Sequence, residues 1–154
     1  MSENDAAAHG EIQRLIVDYC LSADSGDAER IAQLFTADAR LSFSHSPAGL
    51  ATALEGVEAI VAALTGYFAV AEQRAAAGIT VRHVPGAPSI VLDGDEARAT
   101  TPTFAIRTRP QGDSAAVADI GAIGRYIDRF VRADGEWRIA ERRLEYDPPG
   151  PFGD

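Results

Sequence analysis

A chain of 154 residues with 46% apolar and 24% charged side chains can bury one real core and has the make-up of a soluble globular protein. Its net charge of −9 repels phosphate backbones; the arginines clustered late in the chain, Arg138, Arg142 and Arg143, are interleaved with Glu136, Glu141 and Glu145, which speaks against a nucleic-acid partner. Cys20 is the only cysteine, which excludes an intrachain disulfide and a thiolate metal cluster.

The start, Met1-Ser2-Glu3-Asn4-Asp5, is acidic and unlike a secretory leader. The most apolar stretch, Val57 to Ala71, is interrupted by Glu58, Thr65, Gly66 and Tyr67 and is too short to cross a bilayer. A cytoplasmic protein with no membrane partner is expected.

Ile12, Leu15, Ile16, Tyr19 and Cys20 recur at helical spacing, predicting a helix over Ala7–Ala23, with Cys20 as a buried thiol. Asp24-Ser25-Gly26-Asp27 breaks it and offers capping oxygens to a second helix carrying Ile31, Leu34 and Phe35, which Thr36-Ala37-Asp38-Ala39 ends. Arg40–Ser44 alternates like a short strand, and a loop with Pro47 and Gly49 follows. A third helix runs from about Gly56 to Ala75–Ala77 with Val57, Ile60, Val61, Leu64 and Phe68 inward. The second half predicts strands over Ile79–Val84, Ser89–Leu92, Ala97–Arg109, Val117–Arg132 and Glu136–Leu144, with tight turns at Asp93-Gly94 and Asp134-Gly135. Residues 109–116 read as a turn-rich loop. Helices first and an antiparallel meander last imply an α+β fold, a single domain over residues 1–154 with 1–8 and 148–154 as loose termini. A long bent sheet under three helices leaves volume that helix side chains do not fill, and that volume becomes a blind pocket.

In Val81-Arg82-His83-Val84, alternation puts Val81 and His83 on one face. Facing a half-apolar cavity, a neutral imidazole with one nitrogen held by a carboxylate is a competent general base, the other reading being a core histidine bonded to backbone. Tyr126, Asp128 and Phe130 share one strand face. Tyr126 could polarise a carbonyl, and Asp128 could stay protonated and donate, or pair with Arg129 or Arg142. Phe43, Phe68, Phe104 and Trp137 supply pocket wall or ordinary core. His9, His45 and His83 are far apart and show no metal-ligand spacing, so no metal is expected. Gly121-x-x-Gly124 lacks the loop–helix context of a nucleotide site and reads as strand glycines at a bend, so no cofactor is expected.

Several segments together resemble the SnoaL-like branch of the nuclear transport factor 2-like superfamily. They are Tyr19-x4-Asp24-Ser25-Gly26-Asp27 with Ile31-x2-Leu34-Phe35-x2-Asp38-Ala39, Glu55-Gly56-x3-Ile60, Arg82-His83, Ile90-x2-Asp93-Gly94-Asp95-x-Ala97, Gly124-x-Tyr126-x-Asp128 and Asp134-Gly135-x-Trp137-Arg138-Ile139. The resemblance implies a cone-shaped α+β barrel of curved, mostly antiparallel sheet enclosing a pocket, and homodimerisation through the outer sheet face. It also implies a cyclase, dehydratase, isomerase or ligand carrier acting on a small apolar molecule. The placement of Asp24 and His83 is similar to scytalone dehydratase and a related dehydrochlorinase, which implies a catalytic role for His83, supported by Asp24. Tyr19, Phe43, Phe104, Tyr126, Asp128 and Trp137 are then expected to contact substrate. A dehydratase tyrosine falls on Phe43, its second histidine has no counterpart among Thr100, Thr101 and Thr103, and its serine and asparagine fall on Gly124 and Tyr126. The small subunit of a ring-hydroxylating dioxygenase shares the implied fold.

Overall fold

The structure, a computed structural model, describes residues 3–46, 50–112 and 114–148. The helical spacing of the first quarter winds into α1 (Glu3–Ser25), which buries Ile12, Ile16, Tyr19 and Cys20. It starts earlier than the spacing indicates. Residues 3–8, expected to be loose, are helical, with Ala8 already buried and Glu3 and Asp5 placed against the positive helix start. Asp27 caps α2 (Ala28–Leu34) by accepting the Arg30 N–H at 2.9 Å. Phe35 does not belong to this helix. It opens β1 (Phe35–Phe43) because its backbone pairs with Ile139, and that ladder overrides the helical spacing of its side chain. A short strand that alternation did not reveal, β2 (Ala53–Glu55), pairs with β1; the Pro47–Gly49 loop lies outside the described residues. The third helix, α3 (Val57–Ala76), buries Ile60, Leu64 and Phe68.

Five strands complete the chain: β3 (Thr80–Pro85), β4 (Ser89–Asp93), β5 (Glu96–Gln111), β6 (Ser114–Ala133) and β7 (Glu136–Tyr146). They join β1 and β2 in one seven-stranded sheet of order β2-β1-β7-β6-β5-β3. β4 lies on the same side of β5 as β3, pairing with residues 96–100 where β3 pairs with 103–108. The β1–β7 pair is parallel and the others antiparallel, so the sheet is mixed, and it does not close on itself. The fold is α+β, as expected. Asp134 (φ 53°) and Gly135 (φ 82°) make the β6–β7 turn, the left-handed pair a two-residue hairpin demands. Most of the stretch 109–116 is strand rather than loop, β5 running to Gln111 and β6 starting at Ser114. Gln111 pairs with Ser114 at the hairpin tip.

Along β5 the buried residues are Ala97, Ala99, Thr101, Thr103 and Ala105, while Arg98, Thr100, Pro102 and Phe104 face outward. Small inner residues leave room for α1 and α3 above the sheet. Two devices bend β6. Gly121 is the extra residue where the register shifts between Ala105–Ala122 and Ile106–Ile120, a β-bulge. At Gly124 the chain passes so close to β7 that a Cβ would strike the Glu145 carbonyl oxygen and lie 2.9 Å from Tyr146 Cα. Gly124→Ala should therefore destabilise the protein by about 1–3 kcal/mol, the usual cost of overpacking, read as a lower midpoint in urea unfolding. A neutral effect would mean that β6 and β7 do not approach each other this closely at Gly124.

Candidate functional site

The junction between α1 and α2 offers three oxygen-bearing side chains, and each takes different work. Asp27 caps α2, and Ser25 Oγ donates back to the Leu21 and Ser22 carbonyls at 2.9 and 3.2 Å. Asp24 is left free to reach across to β3. Its Oδ1 accepts the His83 backbone N–H at 3.0 Å and lies 2.8 Å from His83 Nδ1. The carboxylate holds both the strand and the ring of one residue. A carboxylate partner places the proton on Nδ1, leaving Nε2 with a lone pair. Among the described residues Nε2 has no hydrogen-bond partner. The His83 side chain is 26% exposed, so a ligand can reach it.

Asp24 and His83 form part of the wall of a cavity of about 770 Å³ between α1, α3 and the β3–β5 end of the sheet. Tyr19, Phe43, Leu50, Leu64, Phe68 and Leu144 make its apolar surface; Arg74, Arg82, Arg107, Arg109 and Glu72 bring charge to it. Of the residues expected on the wall, Tyr19 and Phe43 are there. Sequence reading missed the arginines. Arg82 alternates away from His83, but on an edge strand its side chain curls round to donate to the Asp24 carbonyl at 3.3 Å.

Four expected contacts lie elsewhere. Phe104 is 38% exposed on the outer sheet face, opposite Ile123, because Thr101 and Thr103 hold the inward positions. Trp137 faces inward, but it pairs with Arg132 beside the β6–β7 turn and is core. Tyr126 faces inward but borders only a crevice of about 10 Å³ behind His83; its hydroxyl is 3.6 Å from Cys20 Sγ, and burial pushes its pKa well above the ordinary phenol value. Asp128 takes the other course, an arginine partner. Arg142 Nε and Nη2 donate to its two oxygens at 2.8 and 2.7 Å, and both side chains are wholly buried. The guanidinium carbon sits 4.2 Å from the Tyr19 ring centre and 4.4 Å from that of Tyr126, a double cation–π contact. Burial pushes the Tyr19 hydroxyl up to about 12, against the pull of Arg142.

No group of three or more His, Cys, Asp and Glu residues placed to hold a metal occurs among the described residues. No helix among them is long and apolar enough to cross a membrane.

Fold and cavity together define a pocket-bearing α+β protein of the cystatin-like kind. The family model for the SnoaL-like domain matches residues 4–143, and the chain belongs to that family. An NTF2-like protein with a cystatin-like fold from Novosphingobium aromaticivorans superimposes with a TM-score of 0.71 at 25% identity, covering 97% of this chain and 92% of that one. A candidate scytalone dehydratase from the same organism gives 0.73 at 22% identity, over 96% and 89%. By sequence, the β1 and β2 subunits of the terephthalate 1,2-dioxygenase terminal oxygenase component of a Comamonas species are each 37% identical over 62 residues, 40% of this chain. The match spans only 38% of the length of those subunits.

Two outcomes follow from the site's surroundings. Asp128→Ala strands a buried guanidinium and should cost about 3–5 kcal/mol, while replacing both partners (Asp128→Leu with Arg142→Met) should restore much of it, measured by denaturant unfolding of each variant. Burial raises the Cys20 thiol's pKa above its ordinary value, with Arg142 opposing, so at neutral pH it should react with a thiol reagent only as fast as the protein unfolds. Prompt labelling of the native protein would contradict the burial.

Proposed function

We propose that this protein is an acid–base enzyme of the dehydratase, isomerase or cyclase type, acting on a small, mostly apolar molecule without a cofactor. The observation that carries this reading is the 2.8 Å contact between Asp24 Oδ1 and His83 Nδ1 on the wall of a largely apolar cavity. Substrate entering the cavity meets the Nε2 lone pair, which takes a proton from the carbon next to an activating group. Asp24 keeps the ring in the tautomer that exposes that lone pair and stabilises the imidazolium that forms. Its second bond, to the His83 backbone N–H, prevents the carboxylate from turning away. Elimination, isomerisation and aldol-type cyclisation all begin with this step. With Thr101 and Thr103 rather than a second histidine on the inner face of β5, the His83 imidazolium itself returns the proton, to the leaving group or to the rearranged carbon or oxygen, and so regenerates the base.

A second reading, that of a non-catalytic subunit, draws on the partial match to dioxygenase β subunits and on the exposed apolar pair Phe104 and Ile123 of the outer sheet face. That face also suits a homodimer, the assembly we favour. Turnover separates the readings. On a substrate found by screening, His83→Ala should lower kcat roughly 10²–10⁴-fold, the usual worth of a general base, and Asp24→Asn should lower it strongly, with far-UV dichroism unchanged in both. Full activity in either variant would sink the dyad. A stable homodimer of the isolated chain in light scattering would count against the subunit reading.

A further inference from the structure

The cavity beside His83 is lined by four guanidinium groups, Arg74, Arg82, Arg107 and Arg109, against two carboxylates, Asp24 and Glu72. This is a basic site in a chain whose net charge is −9. Two of the four are already matched. Asp119, opposite Arg107 on β6, accepts from Arg107 Nε and Nη2 at 3.1 and 3.3 Å and from Arg109 Nε and Nη2 at 3.2 and 3.1 Å. Arg107 first, and Arg109 after it, hold the Asp119 carboxyl below its ordinary range. The other two have no carboxylate partner among the described residues. Arg82 Nη1 donates only to neutral carbonyls, those of Asp24 at 3.3 Å and Val81 at 3.0 Å. Among the described residues the Arg74 guanidinium has no hydrogen bond or ion pair. Neither Asp24 nor Glu72 forms an ion pair with either of them among the described residues, and the four guanidinium charges still exceed those of Asp24, Glu72 and Asp119 by one.

The turn between α3 and β3 joins the helix end that carries Arg74 to the strand that carries Arg82, and both residues line the cavity. The Ile79 N–H donates to the Arg74 carbonyl at 2.9 Å, and Gly78 packs on the Pro110 ring, next to Arg109. Arg82 is the third residue of β3 and the immediate neighbour of His83. The far wall is apolar, with Tyr19, Phe43, Leu64 and Leu144.

Resting on the reading of this cavity as a substrate site, we infer that its ligand is an amphipathic organic acid. The apolar body lies against Tyr19, Phe43 and Leu144, and the carboxylate is held by Arg74 and Arg82 at the mouth. The planar guanidinium fork suits a carboxylate, whose two oxygens accept parallel N–H bonds. Anchoring the acid beside residue 82 sets the adjoining carbons next to His83 Nε2, so binding and positioning share one strand.

The test is a binding measurement that needs no turnover. Calorimetric titration of the full chain at low salt would compare 2-naphthoate, its methyl ester and 2-naphthyl phosphate. The acid should bind about tenfold tighter than the ester, the sum expected of two exposed charge contacts, and the preference should shrink with added salt. Arg74→Gln with Arg82→Gln should remove most of the preference while leaving ester affinity unchanged. Arg98→Gln, on the outer sheet face, should leave both as they are. Equal binding of acid and ester by the wild type, or a preference that survives the double substitution, would overturn the assignment. Tighter binding of the phosphate would overturn the choice of a carboxylate. His83→Ala should keep the acid preference. A failure of the catalytic reading would therefore appear in turnover alone, and a failure of the anion site in binding alone.

Discussion

Two full charges with no exposed side-chain surface occupy the middle of the sheet, and the arrangement of everything above them follows. Withdrawing Arg142 and Asp128 from water costs several kcal/mol for each ion, and only good geometry offsets it. The two contacts at 2.7 and 2.8 Å need Asp128 directly opposite Arg142, so the pair holds the β6–β7 register. The guanidinium faces need rings, so Tyr126 from the sheet and Tyr19 from α1 close on them. Tyr19 thereby fixes the rotation of α1 over the sheet, and its ring meets Tyr126 edge-on at 5.9 Å. The space under the middle of α1 is thus filled. Tyr19 also borders the cavity, so the same ring that covers the ion pair forms the inner end of the pocket.

At the C-terminal end of α1, just past Tyr19, the governing problem is a strand edge. β3 borders the sheet, and its outward N–H groups would otherwise be unpaired. Asp24 satisfies the one at His83. The residue proposed to orient the base therefore also seals the edge that carries it. This coupling explains why Asp27 rather than Asp24 caps α2, although both stand at the junction. Capping needs only an oxygen near the first free N–H groups, and Asp27 lies closer to them.

The α+β class, the three helices and the Asp134-Gly135 turn were legible because each depends on local periodicity or on a φ that few residues adopt. The other hairpin was also legible, but its turn is Gly94-Asp95, one residue later than expected, with Asp93 still paired to Glu96. Asp24 and His83 could be paired before the fold was known only through resemblance, since they stand 59 positions apart in the chain and nothing local links them. Alternation put Tyr126 and Asp128 on one face and the resemblance pointed that face inward, where both are buried, but neither says anything of depth along a strand. Both lie beneath α1 rather than on the pocket wall, and Trp137 faces inward at the wrong end. Phe104 shows a different limit. Its aromatic character suggested a wall, whereas the ladder Thr101–Tyr126 fixes the inward parity of β5 and leaves residue 104 outside. The choice between a protonated Asp128 and an Arg142 partner required the strand register.

The arginine mouth was hidden by a single residue. In an unbroken β5–β6 ladder, Ile120 would stand opposite Arg107 and Asp119 would face outward. Gly121, inserted as a bulge, moves Ile120 opposite Ile106 and brings Asp119 opposite Arg107. One extra residue thus exchanges an apolar neighbour for an acidic one on the cavity side, and leaves Ile120 exposed outside. The exchange makes a cluster of cavity arginines tolerable, because Asp119 offsets charge between Arg107 and Arg109 that would otherwise repel. Arg74 and Arg82, beyond its hydrogen-bond reach, keep their charge for an incoming anion. In an acidic protein such a local excess of cations acts over roughly a Debye length, so attraction of an anionic ligand would be confined to the mouth, while the rest of the surface turns it away.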